Sequence, residues 1–361
     1  MRILQIAPPW FSVPPAGYGG TERIVSILAD GLVAAGHDVT LLASGGSRTT
    51  AHLWSVFDDP PSRAMGCPAH EVTHWMAAHA RRHEFDVIHD HSSIVGAALA
   101  AISDGPPVVH TMHGPWEPHI AAAYRALPGR LNIAAISADH AGRAPACLQV
   151  DVVHNAIDLS QFPYRDIPDG RGYLAFVGRA NPDKGPEVAI EAARRLGRPL
   201  RMALKVNEPN EYEFFDEVIR PMLLSTDVEL LLNASATRSA ALLAGATVTL
   251  APLAWDEPFG LVLAESMASG TPVVAYRRGA APEIIEHGVT GILVPPARLD
   301  RLCAAVDIAS GLSRRACRRR VERHFSAGVM VDRYVALYES ALRREGRMGL
   351  RNVTRTLSGV R

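Results

Sequence analysis

One segment of loop, helix and strand, between residues 251 and 294, constrains the fold of this chain more than any other feature. It begins at the end of an apolar strand and continues into a Pro-broken loop that carries Asp256 and Glu257. We predict a helix over about 259–269, because Gly270 supplies the left-handed residue that ends many helices. A strand at 272–276 follows directly. This order of elements predicts a parallel sheet with crossover helices.

The same alternation runs through the whole chain. The strands predicted for the first half are 3–7, 39–43, 86–89, 108–111, 133–136 and 150–153. Those predicted for the second half are 173–177, 201–206, 228–232, 247–251 and 272–276. A length of 361 residues accommodates two domains, each with its own core. The fold class is therefore α/β, with two Rossmann-like, doubly wound parallel-sheet domains.

Bulk composition excludes several classes of protein. Lys plus Arg and Asp plus Glu both number 37, so no net field attracts nucleic acid. The four cysteines, Cys67, Cys147, Cys303 and Cys317, show neither a CxxC pair nor metal-ligand spacing, which favours reduced thiols in the cytoplasm. The start of the chain does not resemble a secretory signal, and no apolar run approaches the roughly 20 residues that span a bilayer.

A basic run lies late in the chain and is rich in arginine. We interpret it as a solvated helix face, with contact to anionic lipid headgroups as the alternative. Its members are Arg314, Arg315, Arg318, Arg319, Arg320 and Arg323.

Two cations follow the first strand of the second half. Arg179 and Lys184 lie on either side of a turn that leads into a helix near Pro186. Folded back, they could approach one diphosphate, with Arg as a bidentate fork and Lys as a point charge. Two surface cations on a loop are the alternative. Glu257 and Glu265 downstream favour the binding site.

Glu257 and Glu265 are eight positions apart, which corresponds to roughly 12 Å along a helix. This is about the distance from a ribose to a diphosphate-linked hexose, so the two carboxylates could hold the two ends of one nucleotide sugar. The amides of Phe259, Gly260 and Leu261 lie at the predicted helix start, where they would face an anion between the two ends.

Gly19 and Gly20 precede the first long helix and leave the backbone bare. Their amides could therefore come close to a diphosphate. A plain turn is the alternative, and the pair is not the GxGxxG pattern of dinucleotide-binding proteins.

Four histidines, His89, His91, His110 and His113, crowd two neighbouring predicted strands. No metal is predicted, because the set lacks HExxH and an obvious third or fourth ligand. For His89, His91 and His110 we expect structural hydrogen bonds at strand ends.

Several segments carry a family resemblance: VGRANPDKG, EPFGLVLAE, SGTPVVA and GAAPEIIEHGVTGILV. They closely resemble the retaining glycosyltransferases of family 4, of the group 1 type. These enzymes have the GT-B fold, in which two Rossmann-like domains flank a cleft. The resemblance covers nearly the whole chain and is strongest over 173–294. It implies transfer of a hexosyl group from a nucleotide-diphosphate sugar to an acceptor, with retention of anomeric configuration.

The resemblance also sets the expected partners and location. The donor would be a UDP- or GDP-sugar ahead of a TDP-sugar, with no metal and no other cofactor. The absence of an Asp-x-Asp motif agrees. The acceptor would be a small molecule, a glycan or a lipid-linked molecule. We expect a cytoplasmic enzyme with at most peripheral contact at the inner face of the membrane.

The implied domains are an acceptor-side domain over 1–165 and a nucleotide-sugar-binding domain over 171–325, separated by a Pro- and Gly-rich linker. A closing helix over 326–345 would return to the first domain. The polar and basic segment 346–361 would be a flexible tail.

The family also implies roles for the candidate residues. Glu265 would bind the ribose hydroxyls, and Glu257 would bind the donor sugar and offset its positive charge. His113 would donate a hydrogen bond to a sugar hydroxyl or to the leaving group. The groups that would stabilise the departing diphosphate are Arg179, Lys184, the Gly19 and Gly20 amides, and the helix start at Phe259, Gly260 and Leu261.

Two departures from the family leave the nucleotide base and full activity open. Leu204 stands where relatives have Gly, and Leu232-Asn233 stands where they have Leu-Gly, in a region that forms part of their base pocket. One alternative function is a nucleotide-sugar epimerase of the same fold. The other is a non-catalytic nucleotide-sugar binding protein.

Overall fold

The structure of the protein is a computed structural model. It describes residues 1–17, 19–127, 129, 131–170, 172–224 and 227–358, without the side chains of 347–358. The chain divides into two compact units. The first comprises Met1–Ala156 together with the segment from Ala327, and the second comprises Ile157–Ser326. The second unit therefore begins at Ile157, ahead of the predicted linker.

The first unit is built on a seven-stranded parallel sheet. Its strands are β1 (Arg2–Ile6), β2 (Asp38–Leu42), β3 (His52–Trp54), β4 (Val87–Asp90), β5 (Val108–Met112), β6 (Asn132–Ala135) and β7 (Val150–Val152). Their order is β3-β2-β1-β4-β5-β6-β7, so the chain order reverses next to β1. In such sheets ligands bind beyond the carboxyl ends of the strands at this reversal.

The second unit repeats the architecture with six parallel strands. They are β8 (Leu174–Arg179), β9 (Leu200–Lys205), β10 (Val228–Leu232), β11 (Val248–Ala251), β12 (Val273–Tyr276) and β13 (Gly291–Val294). The order is β10-β9-β8-β11-β12-β13, and the reversal lies next to β8. The carboxyl ends of β8 and β11 are therefore neighbours.

Helices cover the strands in both units. In chain order they are α1 (Gly20–Ala34), α2 (Pro68–Ala80), α3 (Ile94–Ile102), α4 (Pro118–Ala126), α5 (Ala138–Gly142), α6 (Pro186–Leu196), α7 (Pro209–Phe214), α8 (Arg220–Leu223), α9 (Ala236–Gly245), α10 (Leu261–Ala268), α11 (Ala281–Ile284), α12 (Leu299–Ser310), α13 (Arg314–His324) and α14 (Ala327–Ser358). Short 3-10 turns occur at Ser62–Ala64, Arg82–Glu84 and Leu159–Gln161, and a π-helical turn occurs at Phe215–Ile219.

The predicted doubly wound α/β fold is confirmed. Each predicted strand has its counterpart in the structure, and two strands were not predicted. The edge strand β3 is short and mostly exposed, so it lacks the apolar run by which the others were recognised. The strand β13 is a buried Gly-Ile-Leu-Val run that follows a turn.

The basic run forms helix α13. The interpretation as a solvated face is wrong for three of its six arginines, which bind backbone carbonyl oxygens. Arg314 is buried and donates to the carbonyl oxygens of Ala246 at 2.7 Å and Ala244 at 2.6 Å. Arg318 donates to the carbonyl oxygen of Ala268 at 2.8 Å, at the end of α10. Carbonyls at helix ends have no partner inside their own helix, so the guanidinium groups supply one. Arg320 does the same for the end of α11, whereas Arg315, Arg319 and Arg323 are exposed.

The C-terminal helix α14 belongs to the first unit and packs on α1 and the sheet. Gly31 of α1 approaches Val331 so closely that a Cβ at Gly31 would lie 2.7 Å from Val331 Cγ2. We predicted that this helix ends at 345, whereas in the structure it continues to Ser358. Extending an existing helix costs little compared with starting one. Residues 359–361 of the predicted tail lie outside the described residues.

Candidate active site

Lys184 closes the turn that joins β8 to α6. Its backbone amide donates to the carbonyl oxygen and to the side-chain Oδ1 of Asn181, each at 3.2 Å. Asn181 is itself buried, which anchors the turn. The side chain of Lys184 is only 18% exposed, so its ammonium group is held against the protein.

Lys184 and Glu257 form an ion pair at the carboxyl ends of β8 and β11. The indole Nε1 of Trp255 donates to the same carboxylate oxygen, Oε2, at 2.8 Å. The ammonium group also lies 5.0 Å from the centre of the Trp255 ring, within cation–π distance. In the described part of the chain both hydrogen bonds of the Glu257 side chain go to Oε2, and Oε1 makes none. This oxygen is therefore available to a ligand.

The backbone at Glu257 is held in place by Gly279, which has a φ of +51°. A Cβ at position 279 would lie 2.4 Å from the amide nitrogen and 2.5 Å from the carbonyl oxygen of Glu257, so only glycine fits. The Ala280 amide donates to the Glu257 carbonyl oxygen at 3.0 Å. The neighbouring Asp256 pairs with Arg278 at 3.1 Å. The carboxylate of Glu257 is thus presented by a rigid loop.

The helix α10 begins at Leu261, two residues later than predicted. Gly260 is its N-cap residue, in the left-handed conformation, and its carbonyl oxygen accepts from the Leu263 amide at 3.0 Å. Phe259 is 2% exposed and packs edge-on against Phe325, with 5.8 Å between the ring centres. The predicted donor-binding residues Phe259, Gly260 and Leu261 therefore lie together at a helix N-terminus, a few residues after Glu257. Such a terminus attracts anions.

Glu265 lies one turn into α10 and is 9% exposed. The helix that carries it is anchored by Ser266, whose hydroxyl donates to the Thr271 carbonyl oxygen at 2.9 Å and contacts the Thr249 hydroxyl at 2.7 Å. The estimate of 12 Å from Glu257 assumed that all eight positions were helical. Glu257 instead lies in a loop, so helical rise does not set their separation.

Arg179 ends β8 and faces an acidic residue that the sequence analysis missed. Its Nη1 lies 3.8 Å from Oε1 of Glu211, whose side chain is fully buried. The other oxygen, Oε2, accepts from the amides of Asn207 at 2.9 Å and Glu208 at 3.2 Å. Lys205, the neighbour of Arg179 across β8 and β9, lies 3.9 Å from Oε2. Among the described residues Oε1 has no hydrogen-bond partner.

A local signal could have identified Glu211. Glu208, Pro209 and Glu211 follow strand β9 as a capping box with Pro at the helix start, and the structure contains both reciprocal bonds. The box directs the second glutamate back toward the strand end, where Arg179 lies.

Gly19 and Gly20 begin helix α1 in the first unit. Gly19 is the N-cap residue, with a φ of +150°, and its carbonyl oxygen accepts from the Arg23 amide at 3.1 Å. A Cβ at Gly19 would lie 2.8 Å from Glu22 Oε2 and 2.8 Å from Pro15 Cβ, so a side chain has no room. Burial raises the pKa of Glu22 to about 7. Tyr18, just before the pair, lies outside the described residues.

His113 follows β5 in the first unit and is partly buried. Its Nε2 lies 3.0 Å from His91 Nδ1. His89, His91 and His110 are buried, and each ring makes two hydrogen bonds to protein groups, as the structural interpretation predicts. In the part of the chain that the structure describes, no group of three or more His, Cys, Asp or Glu side chains could hold a metal ion.

The structure thus brings Lys184 together with Glu257 and places both beside the start of α10, while Arg179 contacts Glu211 within the same unit. Gly19, Gly20 and His113 belong to the other unit.

Sequence profiles of two families match consecutive parts of the chain. "Glycosyltransferase Family 4" matches residues 18–161 and "Glycosyl transferases group 1" matches residues 160–322. The chain belongs to the group 1 glycosyltransferases of the GT-B fold. This confirms the family resemblance, and the boundary between the two matches lies close to the boundary between the units.

Individual relatives of this glycosyltransferase extend over nearly its whole length. Glycogen synthase from Mycobacterium tuberculosis is 28% identical, with 96% of each chain covered. AviGT4, a glycosyltransferase involved in avilamycin A biosynthesis, is 27% identical with a TM-score of 0.73, covering 95% of this chain and 98% of that one. Anabaena HepE, solved in complex with UDP and glucose, shares the fold at 20% identity and a TM-score of 0.73, covering 94% and 100%.

The glycosyltransferase departs from its family at the end of β10 in a way that the structure explains. Asn233 has a φ of +49°, and its side chain bonds both the amide of Val206 at 2.8 Å and its carbonyl oxygen at 3.1 Å. Leu204 is buried in the core, whereas Leu232 is 49% exposed. Asn233 therefore ties the end of β10 to the end of β9, and Leu232 offers an apolar surface beside it.

Within the described ranges, no helix is long and apolar enough to span a bilayer.

Proposed function

We propose that this glycosyltransferase moves a hexosyl group from a nucleoside-diphosphate sugar to an acceptor, with retention of anomeric configuration. The observation that carries the proposal is the pairing of Lys184 with Glu257 at the strand ends, beside the N-terminus of α10. The ammonium group can bind a departing phosphate with its remaining N–H donors while one donor stays on Glu257. The free Oε1 of Glu257 can accept a hydroxyl of the sugar.

Charge stabilisation is the chemistry that these groups offer. Breaking the anomeric bond leaves negative charge on the diphosphate and positive character on the sugar ring. Lys184, Arg179 and the helix start would stabilise the first, and Glu257 would stabilise the second. Glu265 would hold the ribose through two hydrogen bonds. The roles of Gly19, Gly20 and His113 on the donor stay predictions.

Retention and independence from metal are part of the proposal. Retention fits the family, and the structure offers no argument for a covalent nucleophile. Because fixed cations would replace a metal at the leaving group, activity is expected to survive dialysis against a chelator. Loss of activity on chelation, restored by Mg²⁺ or Mn²⁺, would contradict this part.

The test is a panel of UDP-, GDP-, TDP- and ADP-sugars incubated with the purified protein. Slow hydrolysis of one donor, and faster release of its nucleotide when an acceptor mixture is added, is the expected result. Coupling constants of the anomeric proton in the product report retention or inversion. Isomerised sugar released without an acceptor would indicate an epimerase, and tight binding without turnover would indicate a binding protein.

A further inference from the structure

The carboxyl ends of three neighbouring strands in the first unit carry a continuous chain of neutral polar side chains. Gln5 lies on β1, His91 follows β4 and His113 follows β5. These strands are adjacent in the sheet, and Gln5 is in register with His89 on β4. Tyr338 of α14 packs against the same group, because its hydroxyl accepts from Gln5 Nε2 at 3.0 Å.

The hydrogen bonds form an unbranched path from Gln5 to His113. Gln5 Oε1 lies 2.9 Å from His91 Nε2, and His91 Nδ1 lies 3.0 Å from His113 Nε2. Gln5 and His91 are buried, with exposures of 0% and 2%. At the other end of the Gln5 amide, Nε2 donates to the Tyr338 hydroxyl, which also contacts His89 Nδ1 at 2.6 Å. The amide therefore presents its oxygen to His91.

This geometry determines where each proton lies. An amide oxygen only accepts, so Nε2 of His91 must carry the proton of that bond. A neutral imidazole has one N–H, so Nδ1 of His91 is bare and accepts from Nε2 of His113. Neutral His113 then has a bare Nδ1. In the described part of the chain this nitrogen has no hydrogen-bond partner.

Both rings remain neutral at physiological pH. Burial, together with the neighbouring histidines, lowers the pKa of His91 well below its usual value. Burial, with smaller contributions from His110 and His140, lowers the pKa of His113 to about 3. No additional proton therefore interrupts the path.

We infer that Gln5 and His91 are positioning residues that fix the tautomer of His113, so that Nδ1 of His113 accepts a hydrogen bond from a hydroxyl of the donor sugar. The inference rests on the proposed function for the identity of the ligand. It proposes an accepting His113 in place of the donating His113 that the family resemblance implies. It also specifies the substrate, because the sugar must present an O–H group at this position.

The first test measures the tautomer directly. Nitrogen NMR of protein labelled with ¹⁵N-histidine distinguishes a bare ring nitrogen from a protonated one, and spectra of His91→Asn and His113→Asn assign the signals. The expected result is a proton on Nε2 and a bare Nδ1 in both rings of the wild-type protein. A proton on Nδ1 of His113 would overturn the inference, and this measurement does not depend on enzymatic activity.

A matched pair of variants tests the role of Gln5. Gln5→Met keeps the volume but removes both hydrogen bonds, so the Nδ1–H tautomer of His113 should become populated. Ser103→Ala is the control, because it removes a 2.6 Å hydrogen bond to the Leu99 carbonyl oxygen at the end of α3, which shares no residue with the path. It should leave the His113 signals unchanged. An unchanged tautomer in a folded Gln5→Met protein would remove the positioning role.

Fluorinated donors test what the tautomer does. Fluorine can accept but cannot donate, so replacing the hydroxyl that faces His113 should lower kcat/KM by about tenfold in the wild-type enzyme. This loss of kcat/KM should disappear in His113→Ala. Fluorine at any other position of the sugar should lower kcat/KM equally in the wild-type enzyme and in the variant. Equal losses at every position would contradict an accepting His113. If no donor is turned over, the proposed function fails while the NMR result stands separately.

Discussion

The two units of this glycosyltransferase carry similar sheets but build their polar sites from different kinds of side chain. In the second unit, charged groups meet at the strand ends, as in the pair of the partly accessible Lys184 and Glu257 and in the pair of Arg179 with the buried Glu211. In the first unit, the corresponding strand ends carry buried neutral groups joined by hydrogen bonds, from Gln5 through His91 to His113.

The difference teaches how each unit would act on a ligand. Charges can stabilise a departing diphosphate through a strong field that depends on salt and needs only approximate geometry. A neutral path has no net charge, so its effect depends on the direction of each hydrogen bond. We therefore expect changes in the second unit to alter turnover and anion binding, and changes in the first to alter recognition of the sugar and sensitivity to acid.

The largest effect is expected for Lys184→Ala. Removing the ammonium group takes away charge stabilisation at the leaving diphosphate, so kcat should fall by about 10²–10³-fold while KM for the donor changes less. Steady-state transfer or donor hydrolysis measures this. Arg194→Ala is a matched control, because Arg194 is an exposed cation that pairs with Glu191 on α6 of the same unit. Wild-type turnover in Lys184→Ala would remove its assigned role.

Arg314→Ala tests whether charge also supports the fold of the second unit. The substitution leaves the buried carbonyl oxygen of Ala244 without its donor and that of Ala246 with only the 3.4 Å contact from the Thr271 hydroxyl, so the free energy of unfolding should fall by about 2–3 kcal/mol. Urea denaturation provides the measurement. The exposed neighbour Arg315→Ala should change it by no more than about 0.5 kcal/mol. Equal effects of the two variants would show that burial of Arg314 contributes nothing.

Glu265→Ala should chiefly weaken donor binding. Loss of two hydrogen bonds between a carboxylate and the ribose is expected to cost about 2 kcal/mol, or roughly 30-fold in Kd. Calorimetric titration with the donor nucleotide measures the Kd of Glu265→Ala. The control is Glu213→Ala, which removes an exposed glutamate on α7. A fall in kcat with unchanged Kd would instead place Glu265 in the chemical step.

The last expected effect is the acid sensitivity of the first unit, which grows with each pH unit. Burial lowers the pKa of His74 and of His140 to about 4 and that of His113 to about 3, and it lowers the pKa of His91 well below its usual value. Below pH 6.5 the unfolded chain binds protons that the folded unit does not, so stability is lost as the pH falls toward 4. The slope approaches about 1.4 kcal/mol per pH unit for each such histidine.

Glu22 acts in the opposite direction. Its raised pKa of about 7 means that its contribution to stability is present below pH 4.5 and is lost as the pH rises through 7. In Glu22→Gln, stability should therefore no longer fall because of this group as the pH rises from 4.5 to 7. The loss of stability in acid that the histidines cause should remain. Hydrogen exchange of peptides from the first unit, compared between the wild-type protein and Glu22→Gln, separates the contribution of Glu22 from that of the histidines. Equal protection of the first unit at pH 4.5 and 7 would contradict the account.

The sequence allowed the fold and much of the charged site to be predicted, because both leave local signals. Apolar strands alternate with helices, and Arg179, Lys184 and Glu257 stand out as charges in loops that follow apolar strands. The ion pair between Lys184 and Glu257 was not predicted, since it joins residues from two separate loops. Glu211 was missed because its role depends on a capping box that directs it toward a neighbouring strand.

The neutral path of the first unit could not be predicted from the sequence. The histidines were visible, but the tautomer of His113 depends on the orientation of one amide, that of Gln5. That orientation depends on Tyr338, which lies more than three hundred residues later in the chain. The buried and half-buried arginines of α13 were predicted to be solvated for a related reason. A run of like charges does not reveal which of its members bind the ends of other helices.

A crystal structure of the protein with its nucleoside diphosphate tests the central claim most directly. We predict that Lys184 Nζ lies within hydrogen-bond distance of a phosphate oxygen, with Glu265 on the ribose. A diphosphate bound away from Lys184, with Glu265 not contacting the nucleotide, would contradict the account.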